Sequence, residues 1–546
     1  MKKVLIAAFL LQSLIFAQPE PVNPDHTVYF FLRKASISGF LNGYDDAILP
    51  KSRNEIKKHL QSLLQKQTDL PPSLKSEFEL YREMFLTEPE PDDASFKGLF
   101  LSKKSVSLFS YKGEGYEGKI DPVFNIKIHG TGDEKYSDRT ALYMRYGVFA
   151  RFNYRDWLSV YAMAWNGNSY GSRGVNALDP VVGQNFTFNQ TGLSHFDGTE
   201  GGIFFEKEIF TASIARDRLL WGENFFNRDK ISGASQMFDR LSFGINTGFF
   251  SYHYTHGWLV TPREIIPGMG VTDDIKTKTP KYTVQNRISF AVSERLRLSL
   301  WQAVIYSRRS PELGYLNPFL FWESVQRSLN DLDNSFIGFD ARYRPVDGVE
   351  LTGSLILDDV NFSYWTPDNF QKYNNRFAFL TGISYIPRFL PAVTLSASYY
   401  FVRPYTFSHP GAGEDLAYLN NSYPLGLDVQ PNSDMVNFRI DWQVAAPLKI
   451  ALDLKHIRHG ANTYGPSGEL LQNNGGSFFT SINAISKEDA WFLAGEFQNS
   501  TTVDLSFHLI TGANTSIKGG FITRRANFKE DRPENYFYLS ASLFYF

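Results

Sequence analysis

Tyr143-Met144-Arg145-Tyr146-Gly147-Val148-Phe149-Ala150-Arg151-Phe152-Asn153-Tyr154 changes character with nearly every residue. As a strand, it places Met144, Tyr146, Val148, Ala150, Phe152 and Tyr154 on one face and Arg145 and Arg151 together on the other. It turns at Arg155-Asp156 and returns as Leu158 to Trp165. One strand earlier, Phe124, Ile126 and Ile128 alternate in the same way with Asn125, Lys127 and His129. A half-apolar strand of this kind divides two environments.

Working outward, tight turns at Ser293-Glu294-Arg295, Pro345 to Gly348, Pro387 to Pro391, Ala445 to Leu448, Ser486 to Asp489 and Gly512 to Asn514 tend to alternate with long polar connections. The connections cover roughly 166–200, 217–237, 259–282, 307–334, 359–374, 403–433 and 459–476. A bacterial outer-membrane barrel has short turns on one side and long loops on the other, whereas a soluble sandwich has no reason to sort its loops by length. Counting candidates from Asp121 to Phe546 gives about 20 strands, with an error of two or so. The closing stretch, Tyr536 to Phe546, is a continuous strand candidate ending in Phe, resembling the signal by which barrel-assembly machinery recognises its clients.

Composition agrees. Among 546 residues are 48 Phe, 29 Tyr, 9 Trp and 41 Gly, yet mean hydropathy is only −0.27, as strands with one lipid face and one wet face require. The net charge of −2 argues against nucleic acid, and the absence of Cys excludes disulfides and thiolate metal sites.

The beginning of the chain is different. Lys2 and Lys3 precede an apolar run from Val4 to Phe16 that ends at Ala17, which reads as a signal peptide over 1–17. Residues 18–95 read as a small periplasmic helical segment. Ile56, Leu60, Leu63 and Leu64 make one stripe behind the capping box Ser52-Arg53-Asn54-Glu55, and Leu74, Phe78, Tyr81 and Phe85 make another after Pro71-Pro72. Thr87 to Asp93 reads as a linker, 96–120 as a linker or short hairpin, and 121–546 as the barrel. Its exterior is expected to be apolar and its interior wet.

Catalytic motifs fail on context. Gly167-Asn168-Ser169-Tyr170-Gly171 matches a nucleophile elbow but is placed in a polar loop between strands. His253 and His256, like His456 and His459, point to opposite strand faces. Asp358 and Asp359 are strand neighbours whose side chains diverge, so no enzyme, metal or cofactor is expected. A saccharide suits the loops better, because rings stack on sugar faces while Arg, Asp and Asn bind hydroxyls or uronate carboxylates. The candidates are Arg216, Asp217, Arg218, Trp221, Asp239, Arg240, Tyr315, Asn317, Trp322, Asp333 and Asn334. Interfacial anchoring is the competing role for any single ring.

These stretches carry a resemblance. His26-Thr27-Val28-Tyr29-Phe30-Phe31-Leu32-Arg33, Leu49-Pro50-Lys51-Ser52-Arg53-Asn54-Glu55-Ile56, Trp221-Gly222, Phe238-Asp239-Arg240-Leu241, Gly314-Tyr315-Leu316-Asn317-Pro318-Phe319, Leu332-Asp333-Asn334 and Leu357-Asp358-Asp359 are similar to the capsule assembly protein Wzi family. That resemblance implies an antiparallel transmembrane barrel of about 18 strands (range 16–20) in the outer membrane, with periplasmic helices below it. It also implies a non-enzymatic lectin holding capsular or exopolysaccharide. The partners implied are outer-membrane lipid and extracellular polysaccharide, to which the terminal strand ending in Phe546 adds barrel-assembly machinery. A passive porin or substrate-specific channel is the alternative, though some 60 residues of helix are surplus to a simple pore.

Overall fold

The computed structural model describes residues 18–87, 102–104, 106–261, 279–330, 333–360, 366, 369–409, 415–482, 489–529 and 532–544. The signal peptide over 1–17, most of the linker over 87–93, most of the turn at Ser486–Asp489 and the terminal Tyr545-Phe546 lie outside these residues.

Alternation becomes a wall of 18 antiparallel strands. They are β1 (Tyr116–Thr131), β2 (Thr140–Tyr154), β3 (Leu158–Gly171), β4 (His195–Lys207), β5 (Phe210–Asp217) and β6 (Phe238–Asn246). Then follow β7 (Phe250–Leu259), β8 (Lys281–Ala291), β9 (Leu296–Ser307), β10 (Asn334–Tyr343), β11 (Val349–Val360) and β12 (Asn375–Tyr385). The last six are β13 (Val393–Val402), β14 (Ser433–Ala445), β15 (Leu448–Ala461), β16 (Glu496–Gly512), β17 (Thr515–Ala526) and β18 (Asn535–Leu543). Each pairs with the next, and β18 pairs with β1 through Leu543 opposite Phe124 and Tyr536 opposite Thr131. Closure leaves no strand edge unpaired, which is the condition for crossing a bilayer with strands. Among the described residues no helix is long and apolar enough to cross a membrane.

The surplus over 18 in the sequence count has a counterpart in short extended pieces, Leu419–Asn420, Tyr423–Pro424, Thr463–Tyr464 and Leu470–Gln472, which pair inside two connections and not in the wall. The wall begins at Tyr116, ahead of the expected Asp121. Phe109–Gly113 folds back on Tyr116–Ile120 through Glu114-Gly115, where Gly115 takes φ +81°. Gly167 to Gly171 belongs to the end of β3, not to a loop.

Loop sorting is visible in space. One end carries turns of two to seven residues, such as 208–209 and 386–392, while the other carries connections of up to 34 residues, 462–495. Ile128, Val148, Ile214, Leu300, Leu505 and Leu539 stand exposed on the exterior. Arg151 faces in, where it pairs with Glu20 at 3.2 Å and Asp121 at 3.2 Å.

Three helices pack at the short-turn end: α1 (Val28–Ile37), α2 (Arg53–Leu64) and α3 (Pro72–Phe85). Ser52 Oγ caps α2 by accepting from the Glu55 N–H at 3.1 Å, while the Glu55 carboxylate pairs with Lys51 at 3.2 Å. Pro72 opens α3, where a missing N–H costs nothing. Ile56, Leu60, Leu63, Leu74, Phe78 and Tyr81 share one core that Ile510 and Ala513 join from the wall, whereas Leu64 is exposed. Gly348, in the turn between β10 and β11, donates to the Ile37 carbonyl at 2.7 Å.

The expectation of a wet interior needs correction. Trp301, Ile305, Phe336, Ile356 and Tyr400 project inward from β9 to β13 and pack against Trp221, Tyr418 and Leu425 of connections folded into the lumen. Apolar positions on both strand faces, which alternation scores as noise, mark this filled sector.

Candidate functional site

Two parts of the chain meet inside the lumen. The connection 218–237 runs inward from β5, and its Leu220–Trp221 pairs antiparallel with Ile48–Leu49 from the stretch between α1 and α2. Gly222 is required here. A Cβ on it would stand 2.9 Å from Arg228 Cα and 2.9 Å from Asp229 Oδ1. Its carbonyl also accepts from Arg228 at 2.8 Å.

Around this junction the charges are buried and matched. Arg33 on α1 pairs with Asp46 and donates to Glu350 on β11 at 2.8 Å. Arg342 on β10 reaches Asp46 at 2.9 Å and Glu223 at 2.7 Å. Arg287 on β8 pairs with Glu223 and, at 3.2 Å, with Asp45. Lys230 holds Asp340 at 2.6 Å and Asp229 at 3.2 Å. Burial alone would raise the Asp45 carboxyl, but Arg297, Arg287 and Arg342 outweigh it and hold that group well below the usual carboxylate range. Likewise burial would lower the Lys230 ammonium, and Asp229 and Asp340 reverse the direction. A buried charge survives only when so paired. The network therefore clamps the segment between α1 and α2 to the connection 218–237 and to β8–β11. Of these residues the sequence points to Asp340 alone, as a partner for Arg inside the wall, and there it holds Lys230 with Arg287 at 4.0 Å. The signal of the others was weak, namely charges at inward positions of separate strands.

Two further connections make contacts within the lumen. In 172–194, Asp179 pairs with Lys127, and Asn176 meets His129 at 3.1 Å. In 403–432, Tyr418 donates to the Lys230 carbonyl at 3.0 Å and Tyr423 to the Gly183 carbonyl at 3.3 Å.

The sequence candidates separate into four places. Asp217 and Arg240 form a buried bidentate pair at 2.8 and 2.9 Å inside the wall. Arg216 and Asp239, one position along each strand, pair at 3.2 Å on the exterior. Arg218 reaches Asp25 within the lumen, and Trp221 is fully buried in the filled core. Tyr315, Asn317, Trp322 and Asp333 do come together, but on the connection that follows β9, whose described residues 308–330 lie along the outside of the wall. There Tyr315 and Trp322 pack on the outward Tyr254 and Tyr306. Tyr315 also donates to Asp333 at 2.6 Å, and the Trp322 indole donates to the Asn317 carbonyl at 3.3 Å. Asn334 faces in and donates to the Leu416 carbonyl at 2.9 Å.

A closed antiparallel strand cylinder, apolar outside and partly filled by its own chain, is an outer-membrane β-barrel fold. It is similar to Wzi of Escherichia coli, described as an outer membrane protein involved in group 1 capsule assembly and a carbohydrate-binding β-barrel, with a TM-score of 0.56 and 12% identity over 96% of this chain and 99% of that one. It is also similar to OprD of Pseudomonas aeruginosa, with TM-score 0.42 and 11% identity over 78% of this chain and 94% of that one. OpdK of the same organism, solved with vanillate, has TM-score 0.45 and 10% identity over 78% of this chain and 98% of that one. No family model and no curated protein matches the chain. At 12% identity, the likeness to Wzi shows the fold.

Proposed function

We propose that this protein is a non-enzymatic outer-membrane lectin that holds a capsular or exopolysaccharide on its long connections, with the helical segment in the periplasm. The observation that carries the reading is the filled lumen. Trp221 and Lys230 are wholly buried where a channel would need water, so the elaborated surface is the long-connection end. The carbohydrate-binding description of Wzi supports the same reading. In it, Trp221, Tyr315 and Trp322 shape the connections, while rings left exposed on the connection 462–495, Tyr464 and Phe479, are available for stacking on sugar faces.

Two measurements test this. Planar-bilayer recording of the full chain is expected to show little ion current, and a steady large conductance would favour the channel reading. Glycan-array binding and retention of surface polysaccharide are expected to fall in Tyr464→Ser and Phe479→Ser, and unchanged binding in both would remove that connection from the mechanism.

A further inference from the structure

A cavity of about 330 Å³ lies between the start of the helical segment, the connection 218–237 and strands β14–β18. Most of its wall residues, among them Lys449, Ala451, His508 and Lys518, lie in the half of their strands nearest the short turns. Lys449 is the second residue of β15, and Lys518 is the fourth of β17. Arg228, Arg439, Lys449 and Lys518 line it against one carboxylate, Asp25, which is already paired with Arg218.

The cations differ in what holds them. Arg439 is satisfied by Asp441 at 2.8 Å and Asp453 at 3.2 Å, and Lys449 stands 3.5 Å from Asp441. Lys518 has neither an ion pair nor a hydrogen bond among the described residues. Arg228, 4% exposed, gives its Nη1 to carbonyl oxygens and leaves Nη2 without a partner. The His508 Nε2 is buried and likewise unpartnered. Two cationic donors and an imidazole nitrogen able to carry a proton thus line one space from separate parts of the chain, each without a hydrogen-bond partner there, although unpaired buried polar groups are costly. Beside them Phe225 and Phe226, whose rings meet edge to face at 5.1 Å, present apolar surface.

We propose that this cavity binds a small sugar acid, whose carboxylate or phosphate is held by Lys518, His508 and Arg228 while its ring lies along Phe225 and Phe226. The site takes its ligand from the short-turn side and is independent of the saccharide surface on the long connections. An oxyanion supplies the acceptors that all three groups lack, and the volume is of monosaccharide size.

The test is titration calorimetry on the full chain in neutral detergent at low ionic strength, with glucuronate, glucose 1-phosphate and glucose as probes. At least one of the acids is expected to bind and glucose is not, and the tighter acid identifies the anionic group. Lys518→Gln removes no ion pair or hydrogen bond among the described residues, and the attraction to Asp25 that it loses is offset by the cationic crowding it relieves, so its thermal midpoint should hold while affinity falls about tenfold or more. Lys518→Arg should retain binding, and polysaccharide retention by cells should be unchanged in both variants. Binding of all three sugars alike, binding of none, or an undiminished affinity in a folded Lys518→Gln would overturn the proposal.

Discussion

Arg33 on α1 and Glu350 on β11 stand 317 positions apart in the chain and meet at 2.8 Å, with both side chains almost wholly buried. That contact, with Asp46 on the other side of the guanidinium, fastens the helical segment to the wall. Arg33→Ala leaves the buried Glu350 without its ion-pair partner and Asp46 with Arg342 alone, at a cost of about 3–5 kcal/mol. The expected result is protease cleavage within 18–87 while the barrel still resists heat and detergent, together with measurable ion current. Because the partners couple, Arg33→Ala with Glu350→Ala should cost less than the sum of the single changes.

Gly222 tests the inward connection more locally. Gly222→Ala introduces a Cβ 2.9 Å from Arg228 Cα and 3.0 Å from Asp229 N, and that backbone cannot yield without disturbing the Arg228 bonds to the Asp46 and Gly222 carbonyls. A loss of about 1–3 kcal/mol is expected, read as a lower unfolding midpoint. Trp221→Ala, which empties a fully buried site, should cost about 3–5 kcal/mol. Protein that remains folded should still bind saccharide, which separates a shaping role from a contact role.

Acid should loosen the helical segment. Burial, with Arg53 and Lys518 adding to it, lowers the His26 pKa to about 3, against an ordinary 6.5. The undocked form therefore binds more protons between those values, and docking is fully favoured above pH 6.5 and weakens as pH falls toward 3, by up to about 1.4 kcal/mol per unit. Burial raises the Glu55 carboxyl, but Lys51 and His59 outweigh it and bring it to about 2, so its contribution is lost between pH 4.5 and 2 in the same direction. Hydrogen exchange of α1 and α2 across this range measures the effect, and His26→Gln should flatten its upper part.

The stretch 308–330 is held to the exterior by Trp322 and Tyr315, which are fully buried although they lie outside the wall. Trp322→Ala should release it at a cost of about 3–5 kcal/mol. Trypsin, which finds Arg327 exposed but in a docked helix, should then cut there rapidly, with the barrel otherwise intact.

The wall was legible because a strand between lipid and water must alternate. Arg145 and Arg151 face in as their parity demands, and the long and short connections segregate to opposite ends. The stripes of α2 and α3 were legible for the same reason, since each had one side to bury. The filling of the lumen was not. Trp221 sits among Arg, Asp and Glu and looks like a polar loop until Ile48–Leu49 is brought beside it, and that pairing spans far more chain than any local pattern. Nor could spacing tell that Tyr315 and Trp322 turn back onto the outside of the barrel. Rings that bury against a wall and rings that wait for a ligand have the same composition.

The pairing of Phe124 with Leu543 sets the order of assembly. The cylinder cannot shut until nearly the last residue has been delivered, and Glu350, Arg342 and Arg287 have no enclosed space to share before it shuts. The helices precede every strand and can pack their stripes on one another early, but their places against the wall exist only when the chain's far end has arrived. The stopper is the first part made and the last part seated.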